Sequence, residues 1–154
     1  MGVKTIGIRR NVAPAAHFDR VVAMSALDGL LPACDWLVLA CPLTPETRGL
    51  IDARRFALMP KHAGFVNISR GEVIDEAALI ATLKAGNLRG AYLDVFSKEP
   101  LPADSPLWDM SNVIMTPHNS ASSPNNYARG IEIFLGNLGR YLRGERLENE
   151  VSND

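Results

Sequence analysis

Three residues of different chemical type stand where a reacting group could be gripped: Arg70, Glu99 and His118. Each follows a short apolar run that reads as a strand, and none of the three lies within such a run. A guanidinium can grip an anion through forked donors, a carboxylate can orient and stabilise a cation, and an imidazole can pass a proton near neutral pH. Arg9 and Arg10 follow an earlier apolar run, and Cys41 and Pro42 another. Loop residues are polar in any protein, so this pattern leaves a catalytic rim and ordinary loop polarity both open.

The elements that would carry these residues follow from periodicity and punctuation. Strands are expected over residues 3–8, 21–24, 36–40, 64–68, 91–95 and 113–115. The run 36–40 is almost continuously apolar, which suits a sheet covered on both faces. Ser25 is placed to cap a helix through about Ala33, and a short helix is expected over 53–59. Asp75 can cap another that Gly86 stops. A last helix begins near Pro124 and carries the stripe Tyr127, Ile131, Phe134, Leu135, Leu138 and Leu142 to a stop at Gly144. Strands alternating with helices imply a parallel α/β sheet with flanking helices. Ligands in such sheets sit at the carboxyl ends of the strands, where the charged residues stand.

Composition narrows the function classes. The chain has 154 residues, with 16 Lys or Arg against 17 Asp or Glu and a net charge of −1. There is no basic excess or run of like charge for nucleic acid, and no apolar stretch near the length of a membrane span. Cys34 and Cys41 give neither a disulfide framework nor zinc spacing, so no metal is expected and the thiols are expected reduced, in a cytoplasmic protein. His17 and His62 read as surface residues.

Longer motifs carry a resemblance. They are Pro42-Leu43-Thr44-Pro45-Glu46-Thr47; Asn67-Ile68-Ser69-Arg70-Gly71-Glu72-Val73-Ile74-Asp75; Gly90-Ala91-Tyr92-Leu93-Asp94-Val95-Phe96-Ser97-Lys98-Glu99-Pro100; and Pro106-Leu107-Trp108 followed by Thr116-Pro117-His118. In this order they resemble the D-isomer-specific 2-hydroxyacid dehydrogenase family, with the glyoxylate/hydroxypyruvate reductase and phosphoglycerate dehydrogenase branches closest. The resemblance implies a Rossmann-like fold and a hydride transfer between NAD(P)H and a small 2-keto or 2-hydroxy acid. By that resemblance Arg70 binds the substrate carboxylate, His118 is the general acid and Glu99 holds its ring. Cys41, Pro42, Thr47, Ile68, Ser69, Arg70, Asp94 and His118 fall on the cofactor side. Many NAD-using relatives carry an acid after the first strand read here; Ile8-Arg9-Arg10 carries arginines instead, which suits a 2′-phosphate and implies NADP(H) in preference to NAD(H).

Two departures shape the expectation. The 12 glycines include no Gly-x-Gly pair, so the phosphate loop is absent, together with the strand before it. Residues 1–123 then read as part of a nucleotide-binding domain, and residues 124–154 as a helix and tail that would pack on a missing substrate domain, self-associating without it. The absent strand would lie centrally, between 3–8 and 36–40. A fragment of a longer protein, a partner chain or exchanged strand, or a sheet closed up in altered order would each answer this; the fragment is the favoured reading. Bound alone, the dinucleotide is expected to be held poorly. A dinucleotide-sensing corepressor and an inactive remnant are the alternative functions. The second departure is Asn119-Ser120-Ala121-Ser122, where relatives often carry an apolar residue and a glycine or alanine.

Overall fold

The computed structural model describes residues 2–150, which divide into two compact units on either side of the boundary between His118 and Asn119. Within the first unit the strands are β1 (Ile6–Ile8), β2 (Arg20–Val22), β3 (Trp36–Leu39), β4 (Gly64–Asn67), β5 (Gly90–Leu93) and β6 (Val113–Met115). Its helices are α1 (Leu27–Leu30), α2 (Ala53–Leu58) and α3 (Glu76–Lys84). Every strand pairing is parallel, with β1 on β2 and a four-stranded order β3-β4-β5-β6. The α/β sheet with flanking helices is therefore present, in two pieces. β1 does not pair with β3, so among the described residues the hydrogen-bonded ladder is broken between the β1–β2 pair and the β3–β6 sheet.

The helices owe their ends to short polar side chains. Asp52 accepts the main-chain N–H of Arg55 at 2.8 Å to start α2, and Asp75 that of Ala78 at 3.0 Å to start α3. α3 stops at Gly86, whose φ of +65° costs glycine nothing. There the N–H groups of Gly86 and Asn87 return to the carbonyls of Leu83 and Thr82. The helix expected from Ser25 to Ala33 is instead one α-turn flanked by tighter turns at Met24–Ala26 and Leu31–Ala33. Ser25 caps nothing there; Ala23 holds the cap position without a side-chain bond, and Pro32 lacks the N–H a longer helix would need.

Alternation along the strands sets the core. Phe65, Ala91, Leu39, Asn67 and Leu93 face α2 and α3 and are buried with Phe56, Ile51, Val73, Leu79 and Leu107. Phe56 meets Phe65 edge to face with ring centroids 5.3 Å apart. Both rings are fully buried, so Phe56→Ala is expected to cost about 3–5 kcal/mol, read as a lowered denaturation midpoint. The opposite face is bare, with Trp36, Val38 and Ile114 exposed at 57%, 55% and 65%. The expectation that both faces of β3 are covered is thus corrected: β3 is an edge strand with one buried face.

Residues 119–154 hold α4 (Asn126–Leu142), which begins two residues beyond Pro124. Its stripe Tyr127, Ile131, Phe134, Leu135, Leu138 and Leu142 is exposed throughout. Gly144, at φ +68°, ends it. The Asn137 side chain brackets Glu148, donating to its carbonyl at 3.0 Å and accepting from its N–H at 2.8 Å. Among the described residues no helix is long and apolar enough to cross a membrane.

Candidate active site

β4 ends in a buried asparagine that shapes the turn after it. The Asn67 carboxamide oxygen accepts from the N–H of Ser69 at 3.0 Å and from its hydroxyl at 2.6 Å, while the amide nitrogen donates to the Arg70 carbonyl at 3.1 Å. This closes residues 67–70 into a loop with Ile68 and Arg70 outward and Ser69 inward. Arg70 is extended, with φ −141° and ψ 149°, and its Nη1 donates to the Ser69 carbonyl at 2.6 Å.

Gly71 then lies against another segment. A Cβ on it would stand 1.9 Å from the Phe96 carbonyl carbon and 2.3 Å from the Ser97 nitrogen. Main chain meets main chain here, which glycine alone permits. The contact carries Arg70 up to the turn that follows β5. In that turn the Phe96 N–H donates to Glu99 Oε1 at 2.9 Å, and the other carboxylate oxygen faces His118 Nδ1 at 2.8 Å. Arg70, Glu99 and His118, from three separate crossings, thereby share one rim.

Burial pushes the Glu99 carboxyl up. Hydrogen bonds from His118 and the Phe96 N–H, and the positive charges of His118 and Arg70, outweigh this and hold it below its ordinary 4.5. A carboxylate can only accept, so His118 carries a proton on Nδ1 and presents Nε2 to the rim. The ring is 43% exposed, open enough for a substrate to reach. Because its folded value is depressed, the stability that the Glu99 carboxylate's shift contributes is complete above the unfolded Glu value of about 4.3 and is lost as pH falls through the folded one. A carboxyl ¹³C titration is expected to place the Glu99 midpoint below the ordinary range, and His118→Gln to move it upward; an unmoved midpoint would contradict the pairing.

Beside this rim, at the carboxyl ends of β3 and β4, lies a cleft of about 520 Å³ lined by Ala40, Cys41, Pro42, Leu43, Ile68, Ser69 and Arg70. Its walls are small or apolar side chains, with Ser69 and Arg70 the polar members. Burial raises the Cys41 thiol above its ordinary value. Thr47 is buried, and its hydroxyl donates to the Pro42 carbonyl at 2.7 Å while accepting from the Thr44 N–H at 2.8 Å, so it closes the 42–47 loop. Arg9 and Arg10 are exposed after β1, and the Arg10 charge reaches Glu46 in that loop. Asp94 is fully buried; its carboxylate accepts from the Thr116 hydroxyl at 2.5 Å, and its carbonyl from the His118 N–H at 2.9 Å. His62 lies apart from the rim, exposed and 3.1 Å from Asp35, and His17 is also exposed.

Three contributors carry no signal of their own in the sequence. Asn67 acts through Ser69 and Arg70 in the turn after its own strand, and Thr116 and Tyr92 act on each other across neighbouring strands, with Thr116 bonded 22 residues back to Asp94. Asn67 stands at the end of an apolar run, and Tyr92 and Thr116 stand two residues before Asp94 and His118; those positions are the available hint.

Comparison with known proteins agrees in one direction. The sequence pattern described as D-isomer specific 2-hydroxyacid dehydrogenase, NAD binding domain, matches residues 1–120. The chain is 50% identical over 126 residues to glyoxylate/hydroxypyruvate reductase B of Citrobacter koseri, covering 82% of this chain and 39% of that protein. It is 44% identical over 126 residues to D-3-phosphoglycerate dehydrogenase of Methanocaldococcus jannaschii, covering 82% and 24%. Among solved structures it is similar to a D-isomer specific 2-hydroxyacid dehydrogenase of Xanthobacter autotrophicus Py2 in complex with NADPH and MES, at TM-score 0.85, 42% identity and coverage of 98% and 62%. An NADPH-dependent glyoxylate/hydroxypyruvate reductase of Sinorhizobium meliloti in complex with NADP and sulfate gives TM-score 0.87 at 36% identity, with coverage of 98% and 48%. The chain thus spans less than half the length of these two curated relatives.

Proposed function

The chain belongs to the D-isomer specific 2-hydroxyacid dehydrogenase family through its NAD-binding domain, and on that premise we propose that it supplies the catalytic rim for reversible reduction of a small 2-keto acid. The observation that carries the proposal is the junction of Arg70, Glu99 and His118, tied by the Gly71–Phe96 contact and the 2.8 Å bond between Glu99 and His118.

The bound dinucleotide would supply the hydride. The side chains do the rest. Arg70 grips the substrate carboxylate with forked donors and polarises the carbonyl beside it. His118 gives its Nε2 proton to the carbonyl oxygen as the carbon gains the hydride, so that C=O becomes CH–OH; in oxidation the same nitrogen takes the proton back. Glu99 holds the ring by Nδ1. Residues 40–43 and 68–70 would hold the nicotinamide side and Arg9 with Arg10 a 2′-phosphate, which favours NADP(H) over NAD(H).

Two preparations test this: the chain itself, and a fusion to the residues of the Citrobacter koseri relative that it does not span. Reduction of glyoxylate or hydroxypyruvate with loss of NADPH absorbance supports the proposal. NADPH-dependent self-association without reduction would assign the rim to a sensing role instead, and neither result in either preparation would remove the proposal. For the cofactor, NADPH is expected to bind about 10–100-fold more tightly than NADH, with Arg9→Ser/Arg10→Ser erasing the difference. An equal or tighter Kd for NADH would contradict it.

A further inference from the structure

His118 occupies a backbone conformation that its side chain does not favour. Its φ is +51°, in the left-handed region, where a residue with a Cβ stays only if its surroundings hold it. Its N–H is shared between the carbonyls of Asp94, at 2.9 Å, and Thr116, at 3.1 Å. The Thr116 N–H goes to the Leu93 carbonyl at 3.0 Å. The histidine therefore hangs from the end of β5 through Thr116.

The Thr116 side chain fastens the same point. Its hydroxyl donates to Asp94 Oδ1 at 2.5 Å, which spends the one proton it has. The Tyr92 hydroxyl stands 2.9 Å away on the other side and must then be the donor in that contact. Tyr92 lies on β5 and Asp94 is the first residue beyond it; Thr116 follows the β6 residue that pairs with Leu93. The result is a one-way chain, Tyr92 O–H to Thr116 to Asp94, across the sheet end, and it terminates on a fully buried carboxylate that needs such donors.

We propose that Thr116, with Tyr92 behind it, is a positioning residue for His118: the chain fixes the turn that sets the imidazole on Glu99 with Nε2 turned to the substrate. The inference rests on the reading of His118 as the proton carrier. Removing the hydroxyl leaves a buried carboxylate short of a donor beside the turn, and a ring shifted by about 1 Å loses the alignment that proton transfer requires.

The test is long-range ¹H–¹⁵N NMR of the imidazoles of the 154-residue chain near neutral pH, with thermal midpoints for every variant. His17 and His62 serve as internal controls. The wild type is expected to show His118 as the Nδ1–H tautomer with a slowly exchanging ring proton. Thr116→Val should give a mixed tautomer and roughly tenfold faster exchange of that proton, Tyr92→Phe a smaller change in the same direction, and Thr116→Ser the wild-type signature. Should Thr116→Val not fold, Tyr92→Phe decides, since it keeps the Asp94 bond. In whichever preparation turns over, kcat should fall while KM for the keto acid holds within about threefold. A wild-type His118 signature in a folded Thr116→Val, or in Tyr92→Phe where the valine variant does not fold, overturns the positioning role. A signature that moves as expected in a protein that reduces no keto acid leaves the positioning geometry standing and removes the catalytic reading.

Discussion

His118→Gln is expected to lower kcat for 2-keto acid reduction by about 10²–10⁴-fold, in whichever of the two preparations turns over. Glutamine keeps a polar planar group near Glu99 but carries no proton to give at neutral pH. The loss should therefore fall on kcat, with KM changing far less. Arg70→Lys makes the complementary case. It keeps the charge and loses the fork, so the carboxylate is held by one point and the carbonyl is no longer aligned. Its loss should appear in kcat/KM and reach about 10²-fold. Equal activity in either variant, measured by steady-state NADPH consumption, would separate that residue from the chemistry.

The second large effect belongs to a residue that touches no substrate. Gly71→Ala would place a methyl carbon 1.9 Å from the Phe96 carbonyl carbon and 2.0 Å from its oxygen. Both are main-chain atoms on a segment pinned from two sides, so neither can swing away as a side chain would. The Phe96 N–H holds Glu99 Oε1, and any retreat of residues 96–97 drags the carboxylate from His118. We expect a stability loss of about 3 kcal/mol or more, together with activity no higher than that of Glu99→Gln. Chemical denaturation and turnover measure the two. Gly29→Ala is the control: nothing lies within 4 Å of its added carbon, and the change should be near neutral in both assays.

Much of this architecture was legible in local patterns. Asp75 before an apolar-spaced run, with Gly86 after it, marks α3, because both capping residues act within one turn of the helix they end. β4, β5 and β6 stand where the apolar runs predict. The run around Ser25 departs from the helix its cap predicts because Pro32, which lacks an N–H to continue the ladder, leaves it a single α-turn. The apolar character of Trp36 and Val38 predicts cover on both faces of β3. The described residues cover one face, leaving Trp36 and Val38 exposed on the other, and none of them pairs with its outer edge. At the rim, Arg70, Glu99 and His118 stand out by type, each following a strand. Asn67 and Thr116 do not, because a buried asparagine and a strand-end threonine acquire their work from the Arg70 turn and from Asp94, contacts that only the folded chain supplies.

The decisive measurement is a crystal structure of the preparation that turns over, with NADPH and oxamate, a 2-keto acid mimic that accepts no hydride. The account predicts the oxamate carboxylate on the Arg70 guanidinium and its carbonyl oxygen within hydrogen-bond reach of His118 Nε2, with Glu99 still on Nδ1. Oxamate seated away from Arg70, or with His118 turned so that Nε2 faces Glu99, would contradict it.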